Sequence, residues 1–255
     1  MTHEVNPIWA IWGPGPDRTT FTSDHEGPKG IYSRRIDAGP EEIETLWKAS
    51  GNEPALGSWS PDGRTLAFVV GAEKTGWDIW LLEKGREPRP FVASRFNEWH
   101  PDISPEGRWL LYTSAEPGRP EVFVRPLSGE GSPRQVSVGG GKEPLWSRDG
   151  TALFYRGRIP QPPDQPDGPE SLFRVSVKAG GGGLAFGRPE KLFDIEYSNA
   201  SPGHSWDVAP DGRFVFVKFP DEAGRRAFSE KVAADRIYVD LDGLPALLKE
   251  AGKSR

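Results

Sequence analysis

Short apolar runs recur along the chain, each set off by polar turn residues. Leu66-Ala67-Phe68-Val69-Val70, Trp109-Leu110-Leu111-Tyr112, Ala152-Leu153-Phe154-Tyr155 and Phe214-Val215-Phe216-Val217 are the clearest. Runs this short, bounded by Gly and Pro, predict strands buried between neighbouring sheets. One apolar anchor stands ahead of each turn: Trp12, Trp59, Ile103, Trp146 and Val208. A third strand is predicted at Gly30-Ile31-Tyr32, Asp78-Ile79-Trp80-Leu81-Leu82, Glu121-Val122-Phe123-Val124, Leu172-Phe173-Arg174-Val175 and Arg236-Ile237-Tyr238-Val239. A weaker fourth is predicted at Ile43-Glu44-Thr45-Leu46, Pro90-Phe91-Val92, Arg134-Gln135-Val136 and Lys191-Leu192-Phe193. Gly243-Leu244-Pro245-Ala246-Leu247-Leu248-Lys249-Glu250 predicts a short helix.

The turn between the first two strands is a repeated string. It reads Ser60-Pro61-Asp62-Gly63-Arg64, Ser104-Pro105-Glu106-Gly107-Arg108, Ser147-Arg148-Asp149-Gly150 and Ala209-Pro210-Asp211-Gly212-Arg213, with a degraded copy at Gly15-Pro16-Asp17-Arg18. The steps are 44, 43 and 62 residues, and Pro16 to Pro61 is 45. Pro presets φ for the second turn position, Asp bonds nearby backbone, and Gly takes the left-handed position that follows. Four strands per period of that length are the signature of a propeller blade, and blades must stack to bury their faces. The expected fold is an all-β propeller of about five four-stranded antiparallel blades, the last incomplete. Their bounds are about 6–48, 52–94, 97–138, 142–194 and 203–242, in one domain over 1–255 with a tail at 243–255. The longer step is assigned to a stiff loop, Ile159-Pro160-Gln161-Pro162-Pro163-Asp164-Gln165-Pro166, and a flexible one from Gly180 to Gly183.

Composition narrows the function. The chain has 255 residues and a net charge of −5, which disfavours a partner read through phosphates, so no nucleic acid is expected. It has no cysteine, which excludes disulfides, thiolate metal sites and a cysteine nucleophile. No apolar stretch reaches membrane-spanning length, and Met1-Thr2-His3-Glu4-Val5-Asn6-Pro7 is no export signal. As written the chain reads as cytoplasmic, or as extracytoplasmic if it is the exported part of a larger membrane-anchored protein.

Several strings resemble the TolB-like family of WD-type propellers. They are Trp59-Ser60-Pro61-Asp62-Gly63, Gly76-Trp77-Asp78-Ile79-Trp80, Phe96-Asn97-Glu98-Trp99, the stretch from Gly118 to Pro126, the stretch from Glu143 to Gly150, and Leu153-Phe154-Tyr155-Arg156. Within it they look most similar to the propeller C-terminal to some bacterial serine/threonine kinases. The resemblance implies a non-catalytic accessory or free-standing module. The kinase motifs themselves are absent, and such propellers usually show about six blades. Two expectations stay open: a remainder of a longer protein, and a five-bladed ring.

Motifs for chemistry are few. Gly203-His204-Ser205-Trp206-Asp207 places Ser, His and Asp side by side, but lacks the Gly of a nucleophile elbow. Gly139-Gly140-Gly141-Lys142 is followed by Glu143 and fails the phosphate-loop spacing. Glu53, Glu98 and Glu143 recur every 45 residues, and His100 and His204 are each expected just before an innermost strand. These five form the candidate binding surface at a channel mouth, against the plainer reading that they are solvated loop charges. Trp59, Trp80, Trp146 and Trp206 are read as recurring at equivalent strand positions and are expected in the core, with Trp77 and Trp99 partly exposed. No catalytic residue, resident cofactor or metal is assigned. The favoured function is a protein-binding or sensing module whose loop face takes a protein or small ligand. The alternatives are a propeller gating a prolyl-oligopeptidase-type serine peptidase, and a five-bladed glycan-processing enzyme using carboxylates such as Glu98 and Glu143.

Overall fold

The repeated turn is the element from which the fold is built. In this computed structural model Gly63, Gly107, Gly150 and Gly212 have φ of 65°, 73°, 69° and 83°. Their N–H groups donate to the carbonyls of Ser60, Ser104, Ser147 and Ala209 at 2.8–2.9 Å. The hairpin closes when Ser60 N–H donates to the Thr65 carbonyl at 2.7 Å, and the same bond recurs at Gly13, Ser104, Ser147 and Ala209. Side chains lock the loop. Ser60 Oγ donates to Asp62 Oδ1 at 2.6 Å, which also accepts from Arg64 N–H at 3.1 Å. Ser147 and Asp149 repeat this at 2.7 and 3.0 Å.

The structure describes residues 9–24, 29–38, 42–49, 51, 54–159, 168–180, 183–195, 203–209 and 211–216. Glu53, the Pro-rich segment 160–166, the expected strand at 236–239 and the expected helix at 243–250 lie outside them. The described residues fall into two compact units, one running to Ile195 with Gly203 and His204, the other comprising 205–209 and 211–216.

The first unit contains four antiparallel sheets. Blade one is β1 (Ala10–Trp12), β2 (Arg18–Ser23), β3 (Gly30–Arg35) and β4 (Glu44–Lys48). Blade two is β5 (Ala55–Trp59), β6 (Thr65–Ala72), β7 (Gly76–Glu83) and β8 (Arg89–Val92). Blade three is β9 (Glu98–Ile103), β10 (Trp109–Ser114), β11 (Glu121–Pro126) and β12 (Arg134–Gln135). Blade four is β13 (Lys142–Trp146), β14 (Ala152–Gly157), β15 (Ser171–Gly180), β16 (Gly183–Phe186) and β17 (Glu190–Asp194). Strands pair in sequence order within blades one to three. In blade four β15 is long enough to pair twice, with β17 along Ser171–Arg174 and with β16 along Val177–Gly180. Gly180 and Gly183, expected to bound a flexible insertion, are the last pair of this additional strand ladder. The second unit holds β18 (Trp206–Val208) paired with β19 (Phe214–Phe216), and Trp206 stacks on Phe216 at 5.9 Å. No helix among the described residues is long and apolar enough to cross a membrane.

The core of the first unit lies between blades. Leu110, Tyr112 and Phe123 of blade three pack with Val69, Ile79 and Leu81 of blade two. Leu111, Val122 and Val124 pack with Trp146, Tyr155 and Val175 of blade four. Each blade's alternate strand positions therefore face opposite neighbours, which is why its runs are apolar throughout. Neighbouring blades are also linked by hydrogen bonds. Trp59 Nε1 donates to Thr20 Oγ1 at 3.0 Å, and Ile103 N–H donates to Ser58 Oγ at 2.7 Å. Trp146 N–H donates to Asp102 Oδ2 at 2.8 Å.

Candidate functional site

Each inner strand enters its blade at what we call the leading rim, the end opposite the Ser-Pro-Asp-Gly turns. Close to that rim β5, β9 and β13 carry an extra residue, so the pairing shifts between Leu56 and Ser58, at His100–Pro101, and at Glu143–Pro144. Such a bulge re-aims a side chain. His100 (φ 52°) and Glu143 (φ 49°) are the two described non-glycine residues with positive φ. A proline follows each and restrains the strained position.

The two bulge residues reach the same place on the next strand. His100 Nδ1 lies 3.3 Å from Thr113 Oγ1, and Glu143 Oε1 accepts from Arg156 Nη1 at 3.1 Å. Thirteen positions separate the partners in both cases. A neutral pair in blade three thus corresponds to an ion pair in blade four. Arg156 is 1% exposed and also pairs with Glu170, whose other oxygen accepts from Lys142 Nζ at 2.8 Å. Burial raises the Glu170 carboxyl, but Lys142 and Arg156 together overcome this and hold it below the ordinary value.

His204 Nε2 stands 3.0 Å from the Pro144 carbonyl. That oxygen can only accept, so Nε2 carries a proton. The His204 ring lies 5.4 Å from the His100 ring, tilted by 60°. The structure therefore gathers His100, His204 and the Glu143–Pro144 bulge. It sets Glu98 apart, opposite Ser114 at the start of β9, one strand position beyond the bulge pair. Glu98 corresponds to Gly141 rather than to Glu143. Among the described residues no three His, Asp or Glu groups are placed to hold a metal ion.

Arg156, Glu170, Lys142 and Thr113 complete the cluster and went unassigned from sequence. Arg156 carried a signal: it closes the apolar run Leu153-Phe154-Tyr155, where a charged side chain is costly unless paired. Of the tryptophans, Trp146 and Trp206 are buried, Trp59 and Trp80 half-buried, and Trp77 and Trp99 half-buried as expected. Trp80 lies on a third strand and Trp206 two positions before the anchor Val208, so these four do not share one register.

No protein-family model matches the chain. An uncharacterised protein of Agrobacterium fabrum is 27% identical over 172 residues, covering 61% of this chain and 56% of that protein. The tricorn protease homolog 1 of Streptomyces coelicolor is 36% identical over 97 residues, covering 36% of this chain and 8% of that one. The crystal structure of TolB from Acinetobacter baumannii superposes with a TM-score of 0.64 at 16% identity, over 85% of this chain and 50% of that one. The chain thus spans about half the length of the first relative and of that TolB structure.

Proposed function

Starting from this TolB-like β-propeller fold, we propose that the chain is a non-catalytic recognition module whose leading-rim loops bind a protein or a small ligand. The observation that carries the reading is the engagement of the rim carboxylates. Glu143 is buried against Arg156, and Glu170 is held by Arg156 and Lys142. A general acid or nucleophile must reach its substrate. These carboxylates instead fix the bulge that carries Glu143 and the start of β15. Glycosidic cleavage of the usual kind needs two carboxyl groups flanking a cleft, and Glu98 and Glu143 belong to separate, buried surroundings.

A propeller that accompanies a bacterial serine/threonine kinase is the finer form of this reading, and it rests on the repeat strings alone. A propeller that gates a peptidase is a second form, favoured by the likeness to the tricorn protease homolog. Both leave the chemistry to another domain. The test is a turnover assay of the purified chain against fluorogenic peptides and oligogalacturonides. The reading expects no turnover above the uncatalysed rate. Turnover that is lost in Glu143→Gln or His100→Ala overturns it.

A further inference from the structure

The blades provide an internal comparison at the leading end of their third strands. In blade three Glu121 accepts from Arg119 Nε at 2.9 Å, from Gly140 N–H at 2.9 Å and from Ser137 Oγ. One cation answers one buried carboxylate. Blade two has Asp78 in that position and Gly76 in place of Arg119. Asp78 is 5% exposed; Thr75 Oγ1 donates to its Oδ2 at 2.8 Å, while its Oδ1 is buried with no hydrogen-bond partner.

The same junction carries a second buried carboxylate. Glu98 accepts from Ser94 Oγ at 2.5 Å, and from Ser114 Oγ and Ser94 N–H at 3.5 Å. Trp77 N–H donates to Asn97 Oδ1 at 3.0 Å, which ties together the neighbours of the two acids. Among the described residues no Lys, Arg or His pairs with either carboxylate. Burial lifts both above their ordinary values, and the Asp78 charge lifts Glu98 further.

Glu98, Ser94 and Ser114 line a cavity of about 280 Å³ that also exposes Phe91, Tyr112 and Arg125. We propose that this cavity binds a small organic ammonium ion, whose N–H donors are taken by Glu98, Ser94 Oγ and Ser114 Oγ while Asp78 supplies a second negative charge nearby. A bare divalent ion fits less well, because hard cations take six or more oxygen ligands, whereas the acids lining the cavity are Glu98 and Glu116 and Asp78 stands outside its lining. Aromatic walls suit an organic body next to an ammonium group. Arg125, stacked on Phe91 at 4.7 Å, selects against a second cationic end. The expected class is therefore a monoamine with a neutral or anionic remainder.

The test is calorimetric titration of the full chain with phenethylamine, and in parallel with hydrocinnamate and with calcium chloride. Phenethylamine is expected to saturate one site, and the other two to give no binding. Glu98→Gln and Asp78→Asn remove one charge each at constant shape. Each is expected to weaken the amine at least tenfold while keeping the wild-type circular dichroism. No binding of phenethylamine to the wild type overturns the proposal. So does equal binding to a folded charge variant, or calcium binding that excludes the amine.

Discussion

Trp146 donates twice to Asp102, through its backbone N–H to Oδ2 at 2.8 Å and through its indole Nε1 to the backbone oxygen at 3.3 Å. This joins the inner strand of blade four to that of blade three at the level where Ile103 is joined to Ser58. Hydrogen bonds to charged groups contribute about 1.5–3 kcal/mol. Asp102→Ala is therefore expected to cost about 2 kcal/mol, and Ser58→Ala, at a neutral bond, about 1 kcal/mol. Urea denaturation of both variants checks the order.

The ion pair of blade four is the counterpart of a neutral pair in blade three. Arg156→Thr leaves Glu143 buried without its main partner and is expected to cost about 3–5 kcal/mol. Adding Glu143→His recreates the His100–Thr113 pairing at a position that already has the backbone of His100. The double variant is expected to be more stable than Arg156→Thr alone. A double-mutant cycle by thermal unfolding reads the coupling directly.

Asp78 and Glu98 give the ligand-free chain a defined pH dependence. Both folded-state values lie above the ordinary ones. Between the unfolded value, about 4, and the raised folded value, the folded chain binds more protons than the unfolded chain. Stability contributed by these two acids therefore falls as pH rises through that window and stays lower above it. Glu98→Gln should match or exceed wild-type stability near neutral pH, with the difference vanishing on acidification. Urea midpoints from about pH 4 to about pH 8 test the slope.

Two turn glycines separate strain from crowding. Gly150→Ala places a Cβ at φ 69° with its nearest neighbour, Glu106 Oε2, 3.4 Å away, and should cost about 1–2 kcal/mol. At Gly63 the added Cβ also meets Pro14 Cβ at 2.5 Å. Gly63→Ala should therefore destabilise more than Gly150→Ala in a direct comparison of melting temperatures.

The blades were legible because the Ser-Pro-Asp-Gly turn is local chemistry, and local chemistry survives in a single sequence. Gly63 and Gly150 take the left-handed turn position for the reason their strings suggested. The site was less legible. Counting by 45 matched Glu98 with Glu143, whereas the register matches His100 with Glu143, because Glu143 sits on the bulge and Glu98 two residues before it. The strand pair on either side of the Gly180–Gly183 run was missed, because glycine carries no apolar pattern, yet Val177–Gly180 pairs with Gly183–Phe186. Trp12 shows the limit of reading an anchor from pattern alone. It occupies the position of Trp146 but is 70% exposed, whereas Trp146 is buried against Leu111 of blade three.

Recognition through the leading-rim face can be read by site-specific photo-crosslinking in the native host. One crosslinker replaces Arg119, exposed at that rim, and another replaces Arg86, exposed at the opposite rim. A discrete adduct is expected from position 119, absent from position 86 and lost when His204 and Lys142 are both changed to Ala. Equal adducts from the two positions, or an adduct from position 86 alone, would contradict it.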